Sequence, residues 1–251
     1  MKVVLCLLAA FAVVKCDSYV EVFDNALWRL NLLNSSSYQD EAISANINDI
    51  LDSIIEDIGF FFADNNLDPM PMPDIKEGFS AKPLFITYHG ELELTNGILN
   101  DLSTVSRAGN ATLHYQNKLL RLSFGLHFDT LKLHYKYLAK IMNIGPKGSL
   151  LANIKGTEVF LDIILDLEDF TLYLQHFEVP VLKNIRVHFR GNVLTDWLVN
   201  ALNNVTTFIF KDVVRTILEK QISKVIQKTI DDINTKGISK SALSVRYMQR
   251  L

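Results

Sequence analysis

The stretch LLRLSFGLHFDTLKLHYKYL, Leu119–Leu138, alternates between apolar and polar side chains and decides the fold. The apolar residues occupy even positions up to Phe128 and odd positions from Leu131 onwards. Alternation with a period of two is typical of a β-strand with one buried and one solvated face. We interpret the change of parity at Asp129-Thr130 as a turn between two antiparallel strands, which would place Phe128 opposite Leu131.

The same alternation surrounds this stretch on both sides, from about residue 84 to residue 190. Asn96-Gly97 and Arg107–Asn110 carry residues that favour turns, so we predict that the chain reverses there as well. No helical pattern interrupts the alternation. The sequence therefore predicts about eight strands in antiparallel succession.

Amphipathic helices flank the strands. Apolar residues recur every three or four positions between Val20 and Leu30, again between Ile43 and Phe62, and then from Asn192 to Asn234. The last run would be about 60 Å long at 1.5 Å per residue. The apolar faces of sheet and helices must cover each other. We therefore predict an α+β fold in which a curved antiparallel sheet wraps around a long C-terminal helix with an N-terminal helix packed alongside.

The N-terminus is typical of a secretory signal peptide, with Lys2 before an apolar run that is too short to span a bilayer. Cleavage after Ala12 and cleavage after Cys16 both fit. We divide the chain into a signal peptide (1–16), one domain (17–235) and a basic C-terminal tail (236–251), and expect a secreted protein. The two cysteines of the chain are Cys6 and Cys16, so cleavage after Cys16 leaves none. Three glycosylation sequons agree with secretion: they begin at Asn34, Asn110 and Asn204.

Sequence motifs of the common catalytic and metal-binding classes are absent, so we predict no enzyme, no metal site and no cofactor. Five of the six histidines fall on the polar side of a strand. His127 and His134 are the best candidate metal pair, but the predicted turn sets His127 opposite Lys132, whose positive charge opposes a metal ion. The net charge of −3 gives no sign of nucleic-acid binding.

What remains is an excess of apolar residues on the inner faces. Two interpretations stay open: a tightly filled core, or an apolar cavity that binds a hydrophobic ligand such as a lipid, isoprenoid, pigment or bacterial lipid product. The candidate ligand-binding residues are Ile54, Ile58, Phe124, Leu126, Phe128, Leu133, Tyr135, Leu161, Ile163, Leu165, Trp197, Phe208 and Ile209.

The alternative is an interaction protein without a ligand, which would contact anionic membranes or microbial surfaces through its basic C-terminal segment. Five cations of that segment precede the tail: Lys211, Arg215, Lys220, Lys224 and Lys228. The sequence leaves the oligomeric state open.

Several strings resemble those of the group 7 mite allergens and their arthropod relatives. They are LDPMPMPDI (67–75), GELEL (90–94), VSRAGNATL (105–113), HFEV (176–179) and FIFKDVVRTILEK (208–220). The resemblance covers roughly residues 40–234. It implies a half-unit of the bactericidal/permeability-increasing type, a tubular lipid-binding fold that the takeout and juvenile-hormone-binding proteins of insects share. It implies no catalytic residues. The insect relatives carry an N-terminal disulfide, which this chain would lack after cleavage behind Cys16.

Overall fold

The computed structural model describes residues 43–82, 85–141, 145–180, 182, 184–191 and 196–236. Within these residues the protein has nine strands and two helices. In chain order they are β1 (Ile43–Asn46), α1 (Asn48–Asp64), β2 (Met70–Met72), β3 (Ile75–Ala81), β4 (Tyr88–Asn100), β5 (Val105–Gln116), β6 (Leu119–Ile141), β7 (Lys147–Asp166), β8 (Leu172–Glu178), β9 (Asn184–Gly191) and α2 (Asp196–Lys236). The α+β class is confirmed. The signal peptide, the helix predicted from Val20 and the basic tail lie outside the described residues.

The sheet is built on one long antiparallel ribbon of β6 and β7, which contain 23 and 20 residues. Shorter strands extend it on both edges. β5 pairs with the beginning of β6 and β4 with its end, while β8 and β9 pair with the end and the beginning of β7. β1 extends β5, and β2 and β3 both pair with β4. The result is a single, curved and open antiparallel sheet.

The predicted turn at Asp129-Thr130 is wrong, because β6 continues through both residues. The register between β6 and β7 is unchanged from one end of the ribbon to the other, so both strands switch their buried parity at the same place. The buried positions of β7 change from even to odd numbers across Lys155-Gly156, and Gly156 has a φ of 64°. The ribbon therefore bends here instead of reversing.

This bend divides the ribbon into two halves. The first half contains residues 119–128 of β6 and 157–166 of β7, and the second half contains residues 131–141 of β6 and 147–154 of β7. The edge partners change at the same place, from β5 and β8 in the first half to β4 and β9 in the second.

The other two predicted turns are also bends within strands. β4 runs through Asn96-Gly97 with a register shift between Thr95 and Ile98, and Asn96 has a φ of 53°. β5 runs through residues 107–110 with a register shift between Ala108 and Thr112, and Gly109 in this interval has a φ of 63°. An extra residue in one strand bends that strand and increases its twist. The turn-forming residues thus curve the sheet.

The two helices cover the concave face. α1 is tied to β5 at its start, where the backbone N–H of Ala111 donates to Asn48 Oδ1 (2.8 Å) and that of Ile47 to the carbonyl of Ala111 (2.9 Å). Ile43 belongs to β1, so the helix begins later than the sequence predicts. α2 is one continuous helix of 41 residues, about 60 Å long, and spans both halves.

Candidate functional site

The inner face of the ribbon is a continuous apolar surface. In the first half, Leu120, Leu122, Phe124, Leu126 and Phe128 of β6 are at most 4% exposed. In the second half the buried residues of β6 are Leu131, Leu133, Tyr135, Tyr137 and Ala139. β7 contributes Leu150, Ala152, Ile154, Val159, Leu161, Ile163 and Leu165 to the same cluster. The candidate site is this surface together with the helix faces that cover it.

α1 covers the first half. Its residues Ile54 and Ile58 are buried in the common core, one turn apart on one helix face. The ring of Phe62 packs against that of Phe128 with 6.1 Å between ring centres. α1 and the first half therefore share one part of the core.

α2 runs along the interior from the second half to the first. Near its start, the half-buried Trp197 stacks on Tyr88 of β4 at 5.6 Å. Further along, Phe210 stacks on Tyr135 at 5.9 Å. At its far end, Asn234 Nδ2 donates to the carbonyl of Leu172, and the backbone N–H of Leu172 donates to Asn234 Oδ1. Between these contacts the helix meets the sheet through apolar side chains and through Glu219, whose Oε1 accepts from the backbone N–H of Val179.

Three buried polar atoms of the interior lack a hydrogen-bond partner in the described part of the chain: Tyr137 Oη, Thr157 Oγ1 and Asn203 Oδ1. By contrast, Tyr135 donates its hydroxyl to the carbonyl of Pro73 at 2.9 Å. Burial raises the pKa of Tyr137, so its phenol remains a neutral donor. Buried hydroxyls almost always have a partner, so these atoms call for an explanation.

The structure places eleven of the thirteen predicted ligand-binding residues in the buried core. Trp197 is half-buried and packs against that core. The inward placement of Phe208 is wrong, because its side chain is 72% exposed, whereas Ile209 and Phe210 are buried. The helical pattern alone could not choose among three adjacent apolar residues.

The candidate ligand-binding residues did not include Phe62, Phe210, Tyr137 and Thr157, although the apolar patterns of strand and helix already place Tyr137 and Phe62 inwards. Thr157 is the first residue of β7 after the parity switch, so its inward position follows from the odd-numbered pattern of Val159 to Leu165. Whether any of these residues contacts a ligand remains a prediction.

The outward-facing polar residues form no cluster typical of a metal site in the part of the chain that is described. His127 lies opposite Ser106 and Glu158, so its predicted position opposite Lys132 is wrong. The nearest contact between His127 and Glu158 is 3.9 Å, from Nδ1 to Oε1. No three His, Asp or Glu side chains among the described residues come together as metal ligands do. No helix among these residues is long and apolar enough to cross a membrane.

Two cations of α2, Lys211 and Arg215, lie next to acidic residues. Arg215 Nε donates to Glu219 at 3.1 Å, and Lys211 is followed by Asp212. Lys220, Lys224 and Lys228 are exposed. Two predicted glycosylation sites are exposed, Asn110 in β5 and Asn204 in α2, while Asn34 lies outside the described residues.

Comparison with known proteins agrees with the resemblance seen in the sequence. The model of the Group 7 allergen family matches residues 46–230. The mite allergen Der p 7 of Dermatophagoides pteronyssinus is 27% identical over 169 residues, which cover 66% of this chain and 78% of the allergen. Der f 7 of Dermatophagoides farinae is 24% identical over 193 residues, which cover 76% of this chain and 89% of the allergen.

Two solved structures also align with the chain. A lipopolysaccharide binding protein aligns with 73% of this chain at 17% identity and a TM-score of 0.47, and the chain spans 40% of that structure. Takeout 1 of Epiphyas postvittana aligns with 73% of this chain and 88% of its own length, at 17% identity and a TM-score of 0.29. Because the family model covers most of the domain, from β1 to the last turns of α2, this chain belongs to the Group 7 allergen family.

Proposed function

We propose that this protein is a secreted, non-enzymatic carrier or sensor that binds a hydrophobic ligand between the concave face of the sheet and α2. The ligand class is a lipid, isoprenoid, pigment or bacterial lipid product. Twelve of the residues predicted from the sequence would line the site, all except Phe208. Desolvation of apolar surface would drive binding at about 25 cal/mol per Å², before the cost of association is subtracted.

The observation that carries this proposal is the pair of unsatisfied hydroxyls, Tyr137 and Thr157, on a mostly apolar inner face. A core that served packing alone would gain nothing from two buried hydroxyls without partners, since each costs about 1–3 kcal/mol. A guest molecule with a polar atom would supply the missing partner while its apolar part replaces contacts between sheet and helix.

The way in which α2 is held also supports the proposal. Beyond its two ring stacks, α2 makes polar contacts with the described part of the sheet region through Asn234 at its end and through Glu219, whose Oε1 accepts from the backbone N–H of Val179 at 3.3 Å. Apolar contacts are not directional, so the helix can shift along the sheet to admit a guest at a lower cost than a hydrogen-bonded interface allows.

The first test is mass spectrometry of a solvent extract from the natively secreted protein, followed by titration of the emptied protein with a neutral fluorescent lipid. We expect a stoichiometric hydrophobic molecule in the extract and saturable uptake of the probe. An empty extract together with no uptake would contradict the proposal and favour a filled core.

A pair of neighbouring tyrosines gives a matched test of the interior. In the empty protein, Tyr135→Phe removes a satisfied hydrogen bond and should lower the free energy of unfolding by about 0.5–1.5 kcal/mol. Tyr137→Phe removes an unsatisfied hydroxyl and should leave that free energy unchanged or raise it.

With the extracted ligand bound, the Tyr137→Phe variant should instead bind several-fold more weakly than the parent protein. Equal affinity of Tyr137→Phe and the parent would show that this hydroxyl does not meet the ligand. Urea denaturation and ligand titration of both variants measure the two effects separately.

A further inference from the structure

The outer face of the second half carries a concentration of positive charge. Lys132, His134 and Lys136 point outwards from β6, and Arg186, His188 and Arg190 point outwards from β9. Between them lie Ser149, Leu151 and Asn153 of β7. We call these nine residues the basic face. The sequence did not reveal it, because β6 and β9 are separated by more than forty residues in the chain.

The register fixes the spacing of these charges. Lys132, Asn153 and Arg186 form one row across three strands, and Lys136, Ser149 and Arg190 form another. Neighbouring strands are about 4.8 Å apart and residues along a strand about 3.3 Å apart, so the four cations occupy the corners of an area of roughly 10 by 13 Å. The two histidines lie in the row between them, and each adds a positive charge when it is protonated.

Most of this charge is not neutralised within the described residues. Lys132 contacts Asp101 at 3.0 Å, from Nζ to Oδ2. No ion pair joins Lys136, Arg186 or Arg190 to any described residue. Lys155 of β7, two residues beyond Asn153, forms none with a described residue either. Like charges at this spacing repel each other, so the basic face costs the folded state energy unless an anion lies against it.

The residues around the charges favour a lipid surface over a polynucleotide. Ile98 of β4, opposite His134, is 43% exposed, and the half-buried Leu151 separates the two histidines. Cations interleaved with aliphatic side chains suit the boundary between headgroups and acyl chains. The face contains no Phe, Tyr or Trp on which a base could stack.

We propose that the basic face is the surface by which the protein docks on an anionic lipid bilayer, with Lys136, Arg186 and Arg190 as its principal contacts. The surface lies on the convex side of the sheet, opposite the interior. It does not depend on the ligand site, so this proposal and the proposed carrier function can fail separately.

The test compares two triple variants of the full-length protein with the same loss of charge. The first is Lys136→Gln, Arg186→Gln and Arg190→Gln on the basic face. The matched control is Lys220→Gln, Lys224→Gln and Lys228→Gln on the exposed side of α2. Partition is measured by co-sedimentation with vesicles of phosphatidylcholine alone and of phosphatidylcholine with 30% phosphatidylglycerol (about a third of the lipid, a composition chosen to be strongly anionic).

We expect the parent protein to bind the anionic vesicles and not the neutral ones, with binding lost between 0.1 M and 1 M salt as the Debye length falls from about 10 Å to about 3 Å. The triple variant of the basic face should lose about a hundredfold in partition coefficient, roughly fivefold for each cation. The α2 variant should lose less than about threefold, because its three lysines lie on the exposed side of the helix that covers the concave face and so point away from a bilayer at the convex basic face. Exchanging Lys136→Arg, Arg186→Lys and Arg190→Lys should preserve binding, since the charge is unchanged.

Equal losses in the two triple variants would overturn the proposal, because binding would then follow total charge. So would a loss confined to α2, a parent protein that ignores anionic vesicles, or binding that neither triple variant reduces. Binding of a single-stranded oligonucleotide in place of the vesicles would assign the face to a nucleic acid and also overturn it. Uptake of the neutral fluorescent lipid should be the same in all these variants.

Discussion

In the first half of the ribbon, cations lie beside carboxylates. Arg121 of β6 bonds to Asp162 of β7 on the outer face. Arg107 of β5 lies opposite the buried Leu126, on the side that α1 covers, and bonds to Asp52 of α1. In the second half, Lys136, Arg186 and Arg190 have no acidic partner among the described residues. The inner faces of the two halves are nevertheless alike, both apolar and both buried.

This difference separates what folding requires from what it leaves open. The inner faces must both be apolar because one core lies against them, and removal of that surface from water is the main source of stability. The outer faces have no such requirement, and exposed ion pairs add little to stability. Binding of an anionic partner therefore explains the unneutralised basic face better than the requirements of folding do.

The largest expected effect tests whether the two halves share one core. Phe128→Ala in the first half and Phe210→Ala against the second should each lower the free energy of unfolding by about 3–5 kcal/mol, because both side chains are fully buried. Urea denaturation followed by circular dichroism and by fluorescence should show a single transition in both variants. Two separate transitions would mean that the halves unfold independently.

Phe208→Ala is the control for both substitutions, since it removes the same side chain two residues before Phe210. Its side chain is 72% exposed, so the free energy of unfolding of Phe208→Ala should stay within about 0.5 kcal/mol of the parent value. A loss as large as that of Phe210→Ala would contradict the orientation of α2 described above.

A smaller effect is expected at Gly156, on the boundary between the halves. Its φ of 64° is unfavourable for residues with a Cβ, although nothing lies within 4 Å of the place a Cβ would occupy. Gly156→Ala should therefore lower the free energy of unfolding by about 1–2 kcal/mol through backbone strain alone. Gly156→Asn should cost less than half as much, because asparagine tolerates this conformation.

Urea denaturation of these two Gly156 variants measures both values. Equal stability of Gly156→Ala and the parent protein would show that the ribbon does not need a left-handed residue at its bend. The boundary between the two halves would then not depend on the conformation of Gly156.

The same bend explains where sequence reasoning failed. A parity switch in one strand fits either a hairpin or a bend, and Asp129-Thr130 alone cannot decide between them. The matching switch at Lys155-Gly156 in β7 was the available signal, because two partner strands that change parity together keep their register. The bulges in β4 and β5 misled in the same way, since glycine and asparagine serve turns and bulges alike.

The inner face was more predictable than the outer one. Alternation identified Phe124 and Leu133 as buried without any knowledge of their partners, because burial follows from position along a single strand. The basic face could not be predicted in this way. Lys136 and Arg190 become neighbours only when β7 lies between them, so the pairing of three strands is needed to see the patch.

The smallest effect concerns the paired cations of the first half. Arg107 donates from Nε to Asp52 Oδ1 at 2.7 Å and from Nη2 to Oδ2 at 3.0 Å, and this hydrogen bonding lowers the pKa of Asp52. A carboxyl whose pKa is lower in the folded than in the unfolded state stabilises the fold above its unfolded pKa of about 4, and that contribution disappears as the pH falls through the folded value.

Asp52→Asn should therefore lower the melting temperature slightly at pH 7, and the difference from the parent should vanish in acid, below the folded pKa of Asp52. Glu56→Gln is the matched control, since Glu56 is an exposed acid of the same helix without an ion pair to a described residue. Calorimetry of both variants between pH 7 and pH 3 measures the effect. If Glu56→Gln shows the same pH dependence, the pairing with Arg107 contributes nothing specific, and the contrast between the paired cations of the first half and the unpaired cations of the basic face loses its energetic basis.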